Sequence, residues 1–501
     1  MPPNKSLFLR STITHADVAI IGAGPAGGHA ALCAAENGLS VALIDEQPEP
    51  GGQVWRQTSA AILAAPPTPE SQAGKALAAA LARYGATITH HADARVWQIE
   101  RIDDDASNRK SSNKKPGNRK LWQLEIAAQE PHTVQARALI VATGAYEYVQ
   151  PFEGWTIPGV IGLAGATALL KQDLLVPEGD IVVAGTGPLV FYVAAEIDRL
   201  GGRLAAIMTV NSRKDWLGAL PAMMGRTDLL RRGLGWLTRL RRVPIHWRTA
   251  ITRAHAHDNH LDALEYRALN GAGTPHGGTH KIKAAMLCIG HGLIPDTRAA
   301  QLAGLNLSYA PALGGWVPDL DPDGAPAIEG LFVCGDGRGI RGVAAAVLDG
   351  QRAGLQATAF MRADSQATQA AQAALVRPYA RAARFGQAMT ALSSLPAGLA
   401  AITTPQTIVC RCESLTRQDI QDEIDTRAHT HQAIKAGQRA GMGPCGGRFC
   451  HKVIGQILKA CTGTTSPPPP ARPPLRPIPL TTLAPEPARY EDLPLGKPTP
   501  L

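Results

Sequence analysis

The sequence predicts an α/β chain made of two strand–turn–helix nucleotide folds with a small helical module behind them. Three observations carry that prediction. Residues 17–32 read D-V-A-I-I-G-A-G-P-A-G-G-H-A-A-L and residues 180–195 read D-I-V-V-A-G-T-G-P-L-V-F-Y-V-A-A, so a short apolar strand runs twice into a glycine turn and a helix. Residues 409–413 (V-C-R-C-E) and 441–450 (G-M-G-P-C-G-G-R-F-C) gather four of the eight cysteines into two tight pairs. At 501 residues the chain exceeds one ordinary core, and two or three domains are expected.

Composition narrows the class further. With 51 glycines and 45% apolar residues, the chain suits an α/β enzyme punctuated by βα turns. Part of the net charge of +9 sits in residues 101–120, which hold seven basic and three acidic residues. Without aromatic residues between the charges, that run reads as a solvated hairpin insert, and no nucleic-acid partner is expected. No apolar run approaches the roughly 20 residues of a membrane span. The opening M-P-P-N-K-S-L-F-L-R-S-T lacks the apolar core of a secretory signal, so a cytoplasmic chain is expected. Paired cysteines fit metal ligation in a reducing compartment, and the scattered Cys33, Cys288, Cys334 and Cys461 read as small buried hydrophobes.

The first glycine turn sets the expected cofactor site. Gly22, Gly24 and Gly27 give G-x-G-x-x-G, with Pro25 and Ala26 at the helix start. The glycines serve a tight turn, backbone approach to a pyrophosphate and close helix–strand packing, and the helix start offers unpaired N–H groups. The second strand, V-A-L-I-D-E, places Asp45 at 23 residues after Gly22, with Glu46 beside it. A carboxylate there meets ribose hydroxyls and implies a nucleotide without a 2′-phosphate. The next turn, with Gly52, Gln53 and Arg56, is expected to approach the same cofactor. Residues 138–145 form a strand ending in Thr143 and Gly144, and residues 331–337 a strand ending in Gly335 and Asp336, followed by a helix. Asp336 suits ribityl or ribose hydroxyls. A pyridine-nucleotide site needs only the first of these segments; three across more than 300 residues argue for extended FAD.

The second unit is less complete. It keeps Gly185 and Gly187 but has Val190 in place of a third glycine, and its next strand ends in Thr209 and Val210 without a carboxylate. Arg213 and Lys214 could pair a 2′-phosphate or form an ordinary basic loop, and the pattern favours a degenerate site. Residues 216–242 read as arginine-rich helix, either a solvated face or a dock for an acidic partner. His291 ends a strand and suits a cofactor contact or a structural hydrogen bond rather than acid–base chemistry.

The four-cysteine module reads Cys410-x-Cys412, 32 intervening residues, then Cys445-x4-Cys450. Four thiolates on two turns suit an iron–sulfur cluster or structural zinc. The C-x-C and C-x4-C spacing resembles the bacterioferritin-associated-ferredoxin type of [2Fe–2S] domain and favours the cluster. Arg411 and Arg448 can offset its negative charge. Residues 466–501 hold 13 of the 39 prolines and read as either a disordered tail or an extended strap with apolar anchors.

The combination G-A-G-P-A-G, D-E-Q-P, G-G-Q-V-W-R, A-T-G-A and G-D-G resembles two-dinucleotide-domain flavoproteins related to the pyridine nucleotide–disulfide reductases. That likeness implies a discontinuous FAD domain at 15–155 and 285–360 around a second Rossmann-like domain at 156–284. A helical connector at 361–404, a [2Fe–2S] domain at 405–465 and the proline-rich tail complete the expected division. The redox-active cysteine pairs of the disulfide-reductase branch are absent from residues 1–400, so disulfide chemistry is not expected. The whole order is similar to the A subunits of opine oxidases and heteromeric amino-acid dehydrogenases, the B subunit of hydrogen cyanide synthase and part of the sarcosine oxidase α subunit. The resemblance implies a partner flavoprotein that oxidises the C–N bond, with this chain relaying electrons through flavin and cluster. A small ferredoxin-like subunit, FMN at a subunit interface and a non-flavin nucleotide in this chain are variations it allows. No catalytic acid–base residues are assigned. A self-contained NAD(P)H-dependent reductase and a zinc-held scaffold are the alternative readings.

Overall fold

The computed structural model describes residues 12–59, 62, 66–104, 120–224, 226–321, 326–362 and 365–483. Most of the basic run at 101–120, and the tail beyond 483, lie outside the described residues.

The first unit opens with β1 (Thr12–Ile21), α1 (Pro25–Glu36), β2 (Val41–Ile44), α2 (Pro69–Arg83), β3 (Ile88–His91), β4 (Arg95–Asp103), β5 (Lys120–Ala127) and β6 (His132–Val141). Its sheet runs β3-β2-β1-β6-β5-β4. Val18, Ala19 and Ile20 have no exposed surface, which is why the last four residues of β1 are all apolar rather than alternating. Gly24 precedes α1 and Pro25 opens it, where a missing N–H costs nothing.

The chain leaves this unit through β7 (Ala145–Glu147) and builds the second: β8 (Val160–Gly162), α3 (Leu163–Ala168), β9 (Asp180–Gly185), α4 (Pro188–Arg199) and β10 (Arg203–Thr209). Next come α5 (Arg213–Met223), α6 (Thr227–Arg239), β11 (Ile245–Trp247), a three-stranded antiparallel sheet of β12 (Thr249–His257), β13 (His260–Leu269) and β14 (Pro275–Lys283), then β15 (Met286–Gly290). The arginine-rich stretch is therefore two helices. The second parallel sheet runs β11-β10-β9-β15-β8. This corrects the boundary expected at residue 285: β15 belongs to the second sheet. The apolar run M-L-C-I-G fills a slot buried on both faces beside β9, with Leu287 and Cys288 fully covered. The return lies at β16 (Leu293–Pro295), which pairs antiparallel with β7 as a two-stranded crossing between units.

The chain then finishes the first unit with α7 (Arg298–Leu302), the hairpin of β17 (Leu307–Ala310) and β18 (Gly315–Pro318), and β19 (Leu331–Val333), parallel to the end of β6. Helix α8 (Val343–Met361) packs on α1, and α9 (Gln366–Leu392) is the connector.

The last module holds β20 (Ile408–Cys410), β21 (Leu415–Thr416), α10 (Arg417–Thr426), α11 (His431–Gln438) and α12 (Cys450–Thr462). Its core of Val409, Ile420, Ile424, Ile434, Val453, Ile454 and Leu458 also takes in Tyr148 and Ile294 from the crossing. Trp155 Nε1 adds a 2.7 Å bond to the Ile408 carbonyl. Each fully buried apolar side chain contributes about 1.5–3 kcal/mol, so the module is seated on the crossing rather than tethered beside it.

Candidate functional site

The three segments expected to bind a nucleotide lie against one another. Gly22 has φ +103°, and a Cβ there would lie 2.5 Å from the Ala142 carbonyl; at Gly27 it would lie 1.8 Å from the Gly22 carbonyl. The turn therefore closes only with glycine. Gly52 is brought opposite Gly24, where its Cβ would come 3.0 Å from the Gly24 Cα, leaving a bare backbone surface. Ala26 and Gly335 meet on the far side of the helix start, so the β19 segment abuts the turn.

The polar residues divide by what they already bond. Asp45 accepts from the N–H groups of Ala23 and Gln47, and burial raises its pKa. Glu46 is held by Arg476. Arg56 donates to Gln47 at 3.1 Å and to Gln53 at 2.7 Å, so these three form one network. Thr143 spends its hydroxyl on the Asp296 carbonyl at 2.6 Å, while Gly144, with φ +68°, has open space where a Cβ would be. Asp336 accepts from the N–H groups of Arg341 (2.9 Å) and Gly342 (3.1 Å) at the start of α8, and burial raises its pKa. Three buried nitrogens in this region, Arg56 Nε, His90 Nε2 and Arg476 Nη1, have no partner among the described residues. His90 and Arg56 both sit within electrostatic reach of Asp45. A bare glycine cradle edged by unspent donors fits a dinucleotide.

The second glycine turn is filled by the protein itself. The Gly187 N–H donates to Asn211 Oδ1 at 2.9 Å, and Asn211 Nδ2 donates to the Leu392 carbonyl at 2.7 Å. Thr186 Oγ1 donates to the Ser393 carbonyl at 3.3 Å, and a Cβ on Gly187 would strike Ser393 Oγ at 2.2 Å. The end of α9 thus lies where a phosphate would approach. Val190, fully buried, packs into the core of this unit.

A cavity of about 1090 Å³ lies between the first unit and the cysteine module, with Asp336, Arg341 and Gly342 on one wall and Gly443, Arg448 and Lys452 on another. Lys452 lies over the Tyr148 ring at 4.1 Å, and burial lowers its pKa to about 8. Glu147 also lines the cavity, accepting the Ala164 N–H at 2.8 Å; burial lifts its carboxyl to about 7. Neither residue stood out in the sequence, because only the folded chain brings β7 and α12 to the same cavity. His291 is structural: its Nδ1 accepts the Gln150 N–H at 3.0 Å, and burial holds it neutral, near 3.

The four clustered cysteines form two pairs. The Cys450 thiol donates to Cys410, which pulls Cys410 down to about 6 and pushes Cys450 up. Cys412 and Cys445 are in contact, and the Cys412 thiol is pushed up, first by burial and then by its neighbour Cys445. Among the described residues no trio converges on one ion. Two thiolates per iron is the division a binuclear cluster requires, whereas a single zinc needs all four at one centre. Gly443 lets the second loop lie against Cys412, and Arg411 is held between Trp155 and Phe449 at 5.1 and 5.8 Å.

Comparison with known proteins agrees with both halves. Residues 16–354 match the family model of pyridine nucleotide-disulphide oxidoreductases, and residues 408–460 match the BFD-like [2Fe-2S] binding domain. The chain is 30% identical to the A subunit of opine oxidase from Agrobacterium tumefaciens, covering 93% of this chain and 91% of that one. It is 27% identical to the hydrogen cyanide synthase subunit HcnB of Pseudomonas aeruginosa over 89% of this chain and 93% of the relative. In fold it is similar to L-proline dehydrogenase from P. horikoshii, with a TM-score of 0.66 at 18% identity over 94% of this chain and 80% of that structure. The chain therefore belongs to the pyridine nucleotide-disulphide oxidoreductase family, among the relatives of the opine oxidase A subunit, as an FAD-dependent oxidoreductase with a C-terminal [2Fe–2S] module.

Proposed function

We propose that this chain is the flavin- and [2Fe–2S]-containing electron-transfer subunit of a heteromeric amine or amino-acid dehydrogenase or oxidase of the opine, proline or hydroxyproline type. The observation that carries the reading is the seating of the cysteine module on the β7–β16 crossing, with Asp336 of the expected nucleotide site and the cluster loop lining one cavity. Gly22, Gly24, Pro25, Ala26, Gly27 and Gly52 would hold the FAD pyrophosphate, Asp45 and Glu46 the adenosine end, Gln53 and Arg56 the neighbouring edge, and Thr143, Gly144, Gly335 and Asp336 the ribityl side. Cys410, Cys412, Cys445 and Cys450 would hold the cluster. When bound, FAD supplies two-electron and the cluster one-electron redox chemistry. The protein's own part is to place both cofactors on one cavity and to keep the second glycine turn closed.

The filled second turn favours this reading over an NAD(P)H-dependent reductase, since Leu392 and Ser393 take the space a pyridine dinucleotide would need. A heteromeric assembly follows from the subunit names of the relatives. Its partners would be a small ferredoxin-like protein and an FAD-containing, amine-oxidising β subunit, working in the cytoplasm; among the described residues no helix is long and apolar enough to cross a membrane. Arg448 and Lys452 give the cavity a cationic wall suited to FMN at the subunit interface. A hydrogen cyanide synthase subunit is the second reading, resting on the relative from P. aeruginosa.

The test mixes the purified chain with NADPH anaerobically, then with candidate amines in the presence and absence of a co-expressed amine-oxidising subunit. Flavin bleaching by amine only in the complex, and none by NADPH, is expected. Bleaching by NADPH within the mixing time would overturn the proposal.

A further inference from the structure

Residues 467–479 of the proline-rich tail form a strap without regular secondary structure. It runs from the cysteine module along the cavity and onto the first unit, where the Leu475 N–H donates to the Trp97 carbonyl at 3.0 Å and the Leu475 side chain packs against that unit's core. The next residue, Arg476, reaches the strand-end edge of the first nucleotide site. Its Nε donates to Glu46, a contact spanning 430 residues of sequence, and its Nη2 lies 3.8 Å from Asp296. Asp296 is itself paired with Arg298 at 2.6 Å. One nitrogen of the guanidinium, Nη1, is buried and has no partner among the described residues. A planar guanidinium fixes all its donors once two are engaged, so Nη1 has little freedom to find water. An unsatisfied buried donor costs about 1–3 kcal/mol unless something supplies an acceptor.

We infer that the strap is part of the first nucleotide site: its far end, residues 475–477, closes the adenosine side, Arg476 clasps Glu46, and Arg476 Nη1 donates to an oxygen of the bound dinucleotide. The inference rests on the proposal that FAD occupies the first glycine turn. Arg56 Nε and His90 Nε2, unspent within reach of Asp45, mark the same edge as short of acceptors. Because the chain must pass over this edge to reach residue 476, nucleotide exchange requires the strap to lift. Lysine cannot replace arginine here, since one ammonium cannot serve Glu46 and the nucleotide in the same planar fork.

The test measures FAD release on dilution from the full-length protein, by the return of free-flavin fluorescence, for the unchanged chain, Arg476→Ala, Arg476→Lys and Gly27→Val. Hydrogen exchange at Leu475 with and without added FAD is the second readout. Release about ten- to a hundredfold faster in Arg476→Ala, the loss expected for one charge-assisted bond, is the predicted result, with Arg476→Lys close to it. Slower exchange at Leu475 when FAD is bound should accompany it. Unchanged release from Arg476→Ala, in a protein where Gly27→Val has lost its FAD, overturns the strap inference and leaves the FAD site standing. FAD retained in Gly27→Val overturns the site assignment itself. If Arg476→Ala does not fold, FAD-independent exchange at Leu475 in the unchanged chain overturns the inference.

Discussion

Replacing Asn211 with alanine should unseat the connector from the second glycine turn. Asn211 is 7% exposed and bridges the glycine turn to the end of α9, accepting from the Gly187 N–H at 2.9 Å and donating to the Leu392 carbonyl at 2.7 Å. Alanine leaves one buried donor and one buried acceptor unpaired, each costing about 1–3 kcal/mol, or roughly 2–6 kcal/mol together. In a chain of several domains that loss is read better as local opening than as a global unfolding energy. Peptides around Gly187 and Ser393 should exchange amide hydrogen on the order of a hundredfold faster or more, with the first sheet unaffected. Asn211→Asp should keep the Gly187 bond but set a carboxylate against the Leu392 carbonyl, and should open at least as readily at neutral pH. Protection unchanged in Asn211→Ala, or micromolar NADH binding by the unchanged chain, would refute the idea that the connector fills this turn.

Other outcomes follow from the same structure. Gly27→Val should abolish FAD retention, since even a Cβ would lie 1.8 Å from the Gly22 carbonyl; flavin absorbance of the purified variant checks it. Cys410→Ser or Cys450→Ser should remove iron and the paramagnetic signal while leaving flavin bound, because the pairs lie on a separate module; iron analysis beside the flavin spectrum decides. Glu147 supplies a pH dependence. Its folded pKa of about 7 stands above the ordinary 4.5, so the folded state holds the extra proton between these values. Stability from this group is therefore present below about pH 4.5 and is lost as pH rises through 7, by up to about 3 kcal/mol and less where cavity water reaches the carboxyl. Glu147→Gln should gain on the unchanged chain in melting temperature as pH is raised from 5 to 8; a constant difference would contradict the assignment.

Much of this was legible from residues 17–32 and 409–450, and the reason is physical. Gly22 and Gly27 stand where any side chain would strike backbone, and thiols at two tight turns have few uses other than holding metal. Both constraints are local, so spacing alone reveals them. What stayed hidden depends on contacts distant in sequence. Asn211 looks like a loop residue until Leu392, 181 positions away, is laid against it. Arg476 reads as one more charge in a proline-rich tail until it meets Glu46. The run at 286–290 is equally apolar in either sheet, and only pairing with β9 assigns it to the second. Glu147 gives no signal because its altered proton affinity comes from the cavity wall, which three separate segments build.

The most direct test of the central claim is cofactor analysis of the purified, anaerobically handled chain, read together with electron paramagnetic resonance after dithionite. One FAD with two irons and two acid-labile sulfides per chain, and a paramagnetic signal appearing on reduction, is expected. Zinc without iron, or protein that carries no flavin and stays silent after dithionite, would contradict it.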